Sequence, residues 1–416
     1  MKWSNGFDLR PSVPLLCLAL VLGIGAVSWV WLRGVQAQHR QGRLARLCAF
    51  TLFLCFDLVL FGAFTRLSDS GLGCPDWPGC YGFVSPLGAG LEIDAAHQLM
   101  PQGPVSWAKA WIEMIHRYAA MTVGFLILIM FIETWREALK GRHLGAGALV
   151  LKRATVWCAS LSLLWVMLQG LFGALTVTSK LFPAIVSMHL LGGMTLLVLL
   201  VIQWRAYAGG VVSFNVLSFF STREAADPTP PTAPQWPQVH RPSWGGWLIL
   251  GACALGVQLA LGAWVSTNYA VLACQSFPLC QAQWWPEMNF SQGFELWRPL
   301  GLTSSQVPLV FQALTAIHYT HRLMAYVVFV LLGILCVRVH QSGHKSAALV
   351  LLGLLLLQFL TGLSNVVLGW PMIGAILHVA GASALVITMT WMSLGYLQTR
   401  WREASMGQGS QSLHAA

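Results

Sequence analysis

The sequence predicts an all-α polytopic membrane protein: two pseudo-symmetric four-helix transmembrane bundles, an internal duplication, plus one extra N-terminal transmembrane helix. Three observations carry that expectation. Of the 416 residues, 56% are hydrophobic and only 9% charged, with a mean hydropathy of +0.65, whereas soluble domains carry about 25% charged residues. A spanning helix needs ~20 apolar residues, and nine stretches supply them: roughly 12–33, 46–66, 111–135, 152–177, 184–205, 244–267, 313–337, 346–369 and 372–396. From residue 46 onward, the chain also repeats its motifs in order.

The first span, 12–33, resembles a signal peptide in position. Its apolar run is long, however, no small-residue cleavage site is evident, and Arg33, Arg40, Arg43 and Arg46 follow it. An anchor helix is the better reading. It opens a segment, 1–44, that also holds a basic loop. A first bundle over 45–206 follows, then a Pro-rich linker over 207–243, a second bundle over 244–400, and a polar tail over 401–416 expected to be disordered.

Net charge is +10, yet its distribution excludes a nucleic-acid surface. Segments 33–46, 134–153, 205–241, 338–345 and 400–402 hold 16 of the 24 Lys and Arg, and they are every second connection. The positive-inside rule makes them cytoplasmic, with the N-terminus outside and the C-terminus inside. The N-terminus lacks the Arg and Ser of a mitochondrial presequence, so a bacterial inner membrane is expected. Of ten cysteines, Cys74, Cys80, Cys274 and Cys280 fall in outward loops, each pair six apart, which suggests two local disulfides. The other six are read as small packing residues.

The repeat is specific. Gly62 through Cys74 (GAFTRLSDSGLGC), then PDWPGC to Cys80, is answered by Gly262 through Cys274 (GAWVSTNYAVLAC), then QSFPLC to Cys280. His116-Arg117 is answered by His321-Arg322. Gln169 to His189 is answered by Gln358 to His378, with Gly173 and Pro183 matched by Gly362 and Pro371. Gln258 and Gly262 share the same Gln-x-x-x-Gly spacing. These motifs suit close helix packing, and their glutamines suit either interhelical bonding or a pocket wall. Asp57, the one acid deep in a span, is either part of a proton path or paired to a neighbour.

Four histidines, His116, His189, His321 and His378, sit near the outer ends of the second and fourth spans of each half. Ionisable groups at such depth are rare and mark functional sites. Two imidazoles facing each other across a bundle suit bis-histidine haem ligation. Zinc, which prefers four close ligands, fits the two-plus-two pattern less well. Arg117 and Arg322 are candidates to pair with haem propionates or to snorkel to the interface; Arg66 and Arg298 are weaker ones. Glu113 precedes His116 by one turn, where the second half has His318 before His321. A carboxylate in one half only suggests chemistry there and electron transfer in the other, although a glutamate near a helix N-terminus also complements the dipole.

With GAFTRLSDSGLGCPDWPGC at 62–80, EMIHR at 113–117 and HYTHR at 318–322, the chain resembles the haem A synthase family over about residues 45–400. The resemblance implies two bundles, each with a haem site, and oxidation of the C8 methyl of haem o to the formyl of haem a by successive hydroxylations, for cytochrome oxidase. It implies His116 and His189 as ligands of the substrate haem, His321 and His378 as ligands of a haem b, and Glu113 as the catalytic carboxylate. It also implies that Cys74 with Cys80, and Cys274 with Cys280, are the family's loop pairs. The span at 12–33 lies outside the family's eight-helix pattern. The electron donor stays open, with a quinol one candidate; a haem o-producing farnesyltransferase and a second copy of the chain are candidate partners. The alternatives are a bis-histidine membrane cytochrome b for quinone or thiol electron transfer and a haem carrier.

Overall fold

In the computed structural model, residues 7–8, 11–32, 40–140, 146–208 and 244–413 are described. The helices are α1 (Ser12–Leu32), α2 (Arg40–Leu67), α3 (Gly90–Leu99), α4 (Trp107–Lys140), α5 (Ala146–Thr178), α6 (Pro183–Tyr207), α7 (Gly245–Thr267), α8 (Phe290–Gly293), α9 (Phe311–Gln341), α10 (Lys345–Val367) and α11 (Met372–Leu413). Two short strands, β1 (Phe7–Asp8) and β2 (Trp77–Pro78), pair in parallel. Among the described residues, eight helices are long and apolar enough to cross a membrane: α2, α4, α5, α6, α7, α9, α10 and α11. Lipid offers no partner to a backbone polar group, so an apolar span satisfies its own N–H and C=O groups by coiling.

The segment expected to form a ninth span is helical as α1, 21 residues long, and is not one of those eight. It leans on the first half: a Cβ at Gly23 would fall 1.9 Å from a Phe125 ring carbon. Leu15 is buried with Cys74, Cys80 and Ile93. From residue 209 the expected Pro-rich linker lies outside the described residues. The tail differs from expectation, since α11 continues to Leu413. Residues 401–413 contain no proline, and Arg402, Glu403, Ala404 and Met406 are good helix formers, so an established helix continues into the tail despite Gly407 and Gly409.

In the first half α2 packs on α4, α4 on α5, α5 on α6 and α6 back on α2; in the second, α7, α9, α10 and α11 make the same circuit. The halves join where α6 meets α7 and α11, and where α2 meets α11. Matching positions touch at this junction. The Tyr269 hydroxyl donates to Asp69 at 2.5 Å, two hundred positions apart. Ser383 Oγ lies 3.6 Å from Met194 Sδ, 189 apart, which is also the offset from Gln169 to Gln358. Short hairpins close the third and fourth helices of each half, turned by positive φ at Lys180 and Leu181 and at Gly369 and Trp370.

Lipid removes the hydrophobic drive for helices to associate, so packing and interhelical hydrogen bonds take its place. At the end away from the long loops, Ser162 Oγ donates to Gln203 at 2.8 Å and Gln203 Nε2 to the Tyr207 hydroxyl at 2.8 Å. That hydroxyl also meets Thr134 Oγ1 at 2.5 Å. The chain ties α4, α5 and α6, with each link worth about 0.6–2 kcal/mol. Arg205 joins the halves by donating to Gln398 Oε1 at 2.7 Å and to the Trp391 carbonyl at 3.3 Å.

At the other end the 68–106 loop presses on α4 so closely that only glycine fits at position 73. A Cβ there would lie 2.5 Å from the Lys109 carbonyl carbon and 2.6 Å from the Ala110 nitrogen. Gly73→Ala is therefore expected to cost about 1–3 kcal/mol by overpacking, read as a lower thermal midpoint in detergent. An unchanged midpoint would show that the loop is not held against α4.

Candidate functional site

Each long loop opens with a disulfide, Cys74–Cys80 in the first half and Cys274–Cys280 in the second, with Cα–Cα distances of 4.9 and 4.7 Å. All four cysteines are buried. Beneath the first loop, Glu113 and Arg117 lie four residues apart on the buried face of α4. Glu113 Oε2 accepts the Cys74 N–H at 2.8 Å, and Oε1 accepts Arg117 Nη2 at 2.5 Å. Arg117 Nη1 donates to the carbonyls of Asp76 at 2.9 Å and Pro78 at 3.3 Å, and also to that of Gly79. The helix that carries His116 thus grips the disulfide loop through hydrogen bonds from Arg117 and to Glu113, two side chains that are themselves paired along the helix.

The second half repeats the grip with different chemistry. Arg322 Nη1 donates to the carbonyls of Ser276 at 3.1 Å and Leu279 at 3.0 Å, and its Nη2 to that of Cys274 at 3.4 Å. Where Glu113 would stand, His318 Nδ1 donates to the Ala270 carbonyl at 3.0 Å. Both arginines, the expected partners of propionates, donate here to loop carbonyls, because carbonyls freed by the tight turns around each disulfide need donors. Glu113 is likewise not a first-turn residue, since α4 begins at Trp107, and its partners are the loop and Arg117.

The four histidines lie at matched depth, six to ten residues from the starts of α4, α6, α9 and α11 at the long-loop end. His116 lies within electrostatic range of His189, and His321 within range of His378, so each pair belongs to one half. Every imidazole faces a glycine on a neighbouring helix. A Cβ at Gly62 would stand 3.1 Å from His116 Cε1; at Gly173, 3.5 Å from His189; at Gly262, 3.0 Å from His321; and at Gly362, 3.3 Å from His378. The glycine of each Gln-x-x-x-Gly motif therefore makes room for a ring. The glutamines of α5 and α10 fit against the glycine one turn past the next histidine, Gln169 at Gly192 and Gln358 at Gly381. Gln258 Nε2 comes within 3.4 Å of His321 Nε2.

These surroundings suit a flat group ligated from both sides. Among the described residues, Nδ1 of His116, His189 and His321 is buried without a hydrogen-bond partner, whereas His378 Nδ1 meets Thr361 Oγ1 at 3.1 Å. Phe61 stacks on His116 with ring centroids 6.1 Å apart and planes 11° from parallel. Among the described residues, no three His, Cys, Asp or Glu converge as a closed zinc site requires. Asp57 is exposed, on the side of α2 turned away from Gly62, so the paired-neighbour reading does not hold. Arg298, fully buried, donates to Asn268 Oδ1 at 2.6 Å. Burial, then the bond to Asp69, holds the Tyr269 phenol above its ordinary pKa.

Fold and site together define a multi-pass α-helical membrane protein with one imidazole pair per half and, among the described residues, a carboxylate one turn before the first pair's His116 where the second half has His318. The chain belongs to the COX15-CtaA family, described as cytochrome oxidase assembly proteins, which matches residues 45–390. It is 34% identical to a heme A synthase of Shewanella oneidensis, over 83% of this chain and 94% of that protein. It is 26% identical to a heme A synthase of Halalkalibacterium halodurans, over 82% of this chain and 91% of that one. For the heme A synthase of Brucella ovis, identity is 26% over 82% and 88%. Helix α1 precedes the matched stretch.

Proposed function

We propose that this protein makes haem a by oxidising the C8 methyl of haem o, with the two halves as duplicated units of unlike duty. The observation that carries the reading is the asymmetry at matched positions: Glu113 one turn before His116, His318 one turn before His321. His116 and His189 hold the substrate haem, and His321 with His378 hold a haem b. When bound, that haem b supplies one-electron transfer to or from the first site. Each of two hydroxylations replaces a methyl C–H bond with C–OH. The oxygen comes either from water, with two electrons and two protons passing to an acceptor, or from O2, with two electrons and two protons arriving from a donor such as a quinol and one water released. The resulting geminal diol then sheds water to leave the formyl group.

Glu113 accepts hydrogen bonds from Arg117 and from the Cys74 N–H, which fix its carboxyl group in place. Such a group stabilises positive charge developing at the methyl carbon and receives its proton. The glycine cradles fix the imidazoles against the neighbouring helices. The charge of the basic connections supports an orientation with the long loops and both sites toward the outside of a bacterial inner membrane and the C-terminus in the cytoplasm.

The same framework, with a disulfide loop hydrogen-bonded to the helix bearing His116, would also serve a cytochrome b that passes electrons to thiols. Mass analysis of acid-extracted pigment from the purified protein separates the readings. Haem o, its alcohol or haem a is expected. Haem b alone, under every growth condition, would overturn the synthase reading.

A further inference from the structure

Because Arg117 and Arg322 are committed to the loops, the carboxylates of a porphyrin need another cation. Arg66 follows Gly62 by four residues, so both point to the same side of α2. Gly62 faces the His116 ring. Arg66 therefore stands one turn from the first imidazole pair, toward the long loops. Its Nη2 donates to the Ser266 carbonyl at 2.9 Å, and its guanidinium carbon lies 3.6 Å from the centre of the Tyr269 ring. The other terminal nitrogen, Nη1, is buried and has no hydrogen-bond partner among the described residues.

The nearby carboxylate is already engaged. Asp69 accepts the Tyr269 hydroxyl at 2.5 Å and lies 4.0 Å from Lys109 Nζ. A guanidinium stays protonated, and a buried N–H without an acceptor is costly. Fork geometry matches a carboxylate. The contacts to α7 fix the side chain in place, so little freedom remains to be lost when an anion arrives.

We propose that Arg66 binds a propionate carboxylate of the substrate haem, orienting its propionate edge toward the long loops. The corresponding second-half position is Ser266, so this anchor belongs to the first site alone. The inference rests on the haem reading above and adds the residue that recognises the ligand's acidic edge. Arg66 acts in binding and positioning, and takes no part in the bond changes at the methyl group.

The test uses the full chain in detergent, stripped of pigment and titrated with haem b, which carries the same two propionates, or with haem b dimethyl ester. Absorbance of the low-spin complex is the readout. In the wild type, haem b is expected to bind in two steps. Arg66→Gln weakens one step by about tenfold or more, the scale of a lost charge-assisted bond. Arg66→Lys falls between the two. The ester binds that site equally in all three proteins, and the other step is unchanged, which also shows that the fold persists. Equal weakening of haem b and its ester by Arg66→Gln, weakening of neither, or loss of both steps in Arg66→Lys would overturn the proposal while leaving the haem reading intact. A wild-type chain that takes up no haem would end that reading, and this inference with it.

Discussion

Glu113→Ala is expected to abolish haem a formation and also to loosen the Cys74–Cys80 loop. The side chain is buried, 4% exposed, and its two oxygens serve Arg117 and the Cys74 N–H. Removing one partner of a buried ion pair costs about 3–5 kcal/mol, because the other charge is stranded. An alanine variant thus mixes structural loss with chemical loss. Glu113→Gln separates them. Its amide oxygen can still accept from Cys74, but it carries no charge. The glutamine variant is expected to keep most of the thermal midpoint while the ratio of haem a to haem o drops at least ~100-fold, the usual scale for loss of a general base. Thermal melts, thiol labelling after mild reduction and pigment mass report the three effects. Full haem a production by Glu113→Gln would reduce this carboxylate to a clamp for the loop.

The second large effect concerns the imidazoles. His116→Ala should leave a chain with one low-spin haem, with no haem o or haem a in its pigment. His321→Ala should retain haem o, lose the haem b signal and make almost no haem a. The reason is that each pair lies within one half, and among the described residues the main helix contacts between the two circuits run along α2, α6, α7 and α11. Absorbance spectra of the two purified variants, with pigment mass, check the assignment. If either substitution removed both haems together, the sites would not be the independent units proposed here.

Much of this architecture is legible in the residues. Eight spans announce themselves because a bilayer leaves a chain no choice but an apolar helix of fixed minimum length. The histidines stand out for the same reason: an ionisable side chain at that depth needs a purpose. Pairing within each half follows from the recurrence of His116 as His321 and of His189 as His378. Even the cysteine pairs are readable, since six residues of loop can bring two thiols together without help from the rest of the chain.

What remained open in the residues was direction. Arg117 and Arg322 look like anion binders in sequence, yet their donors turn to carbonyls some forty residues earlier in the chain. Glu113 looks like a first-turn acid, yet α4 begins six residues before it and the loop comes back to meet it. The glycines of the Gln-x-x-x-Gly motifs could have served any close helix contact, until the helix circuit set each one beside an imidazole. Arg66 reaches Ser266 across the junction of the halves, 200 residues away. Lipid solvation acts locally on each segment and so can be read one span at a time. The partner of a buried donor depends on where distant loops return, and that is fixed only when the helices have packed.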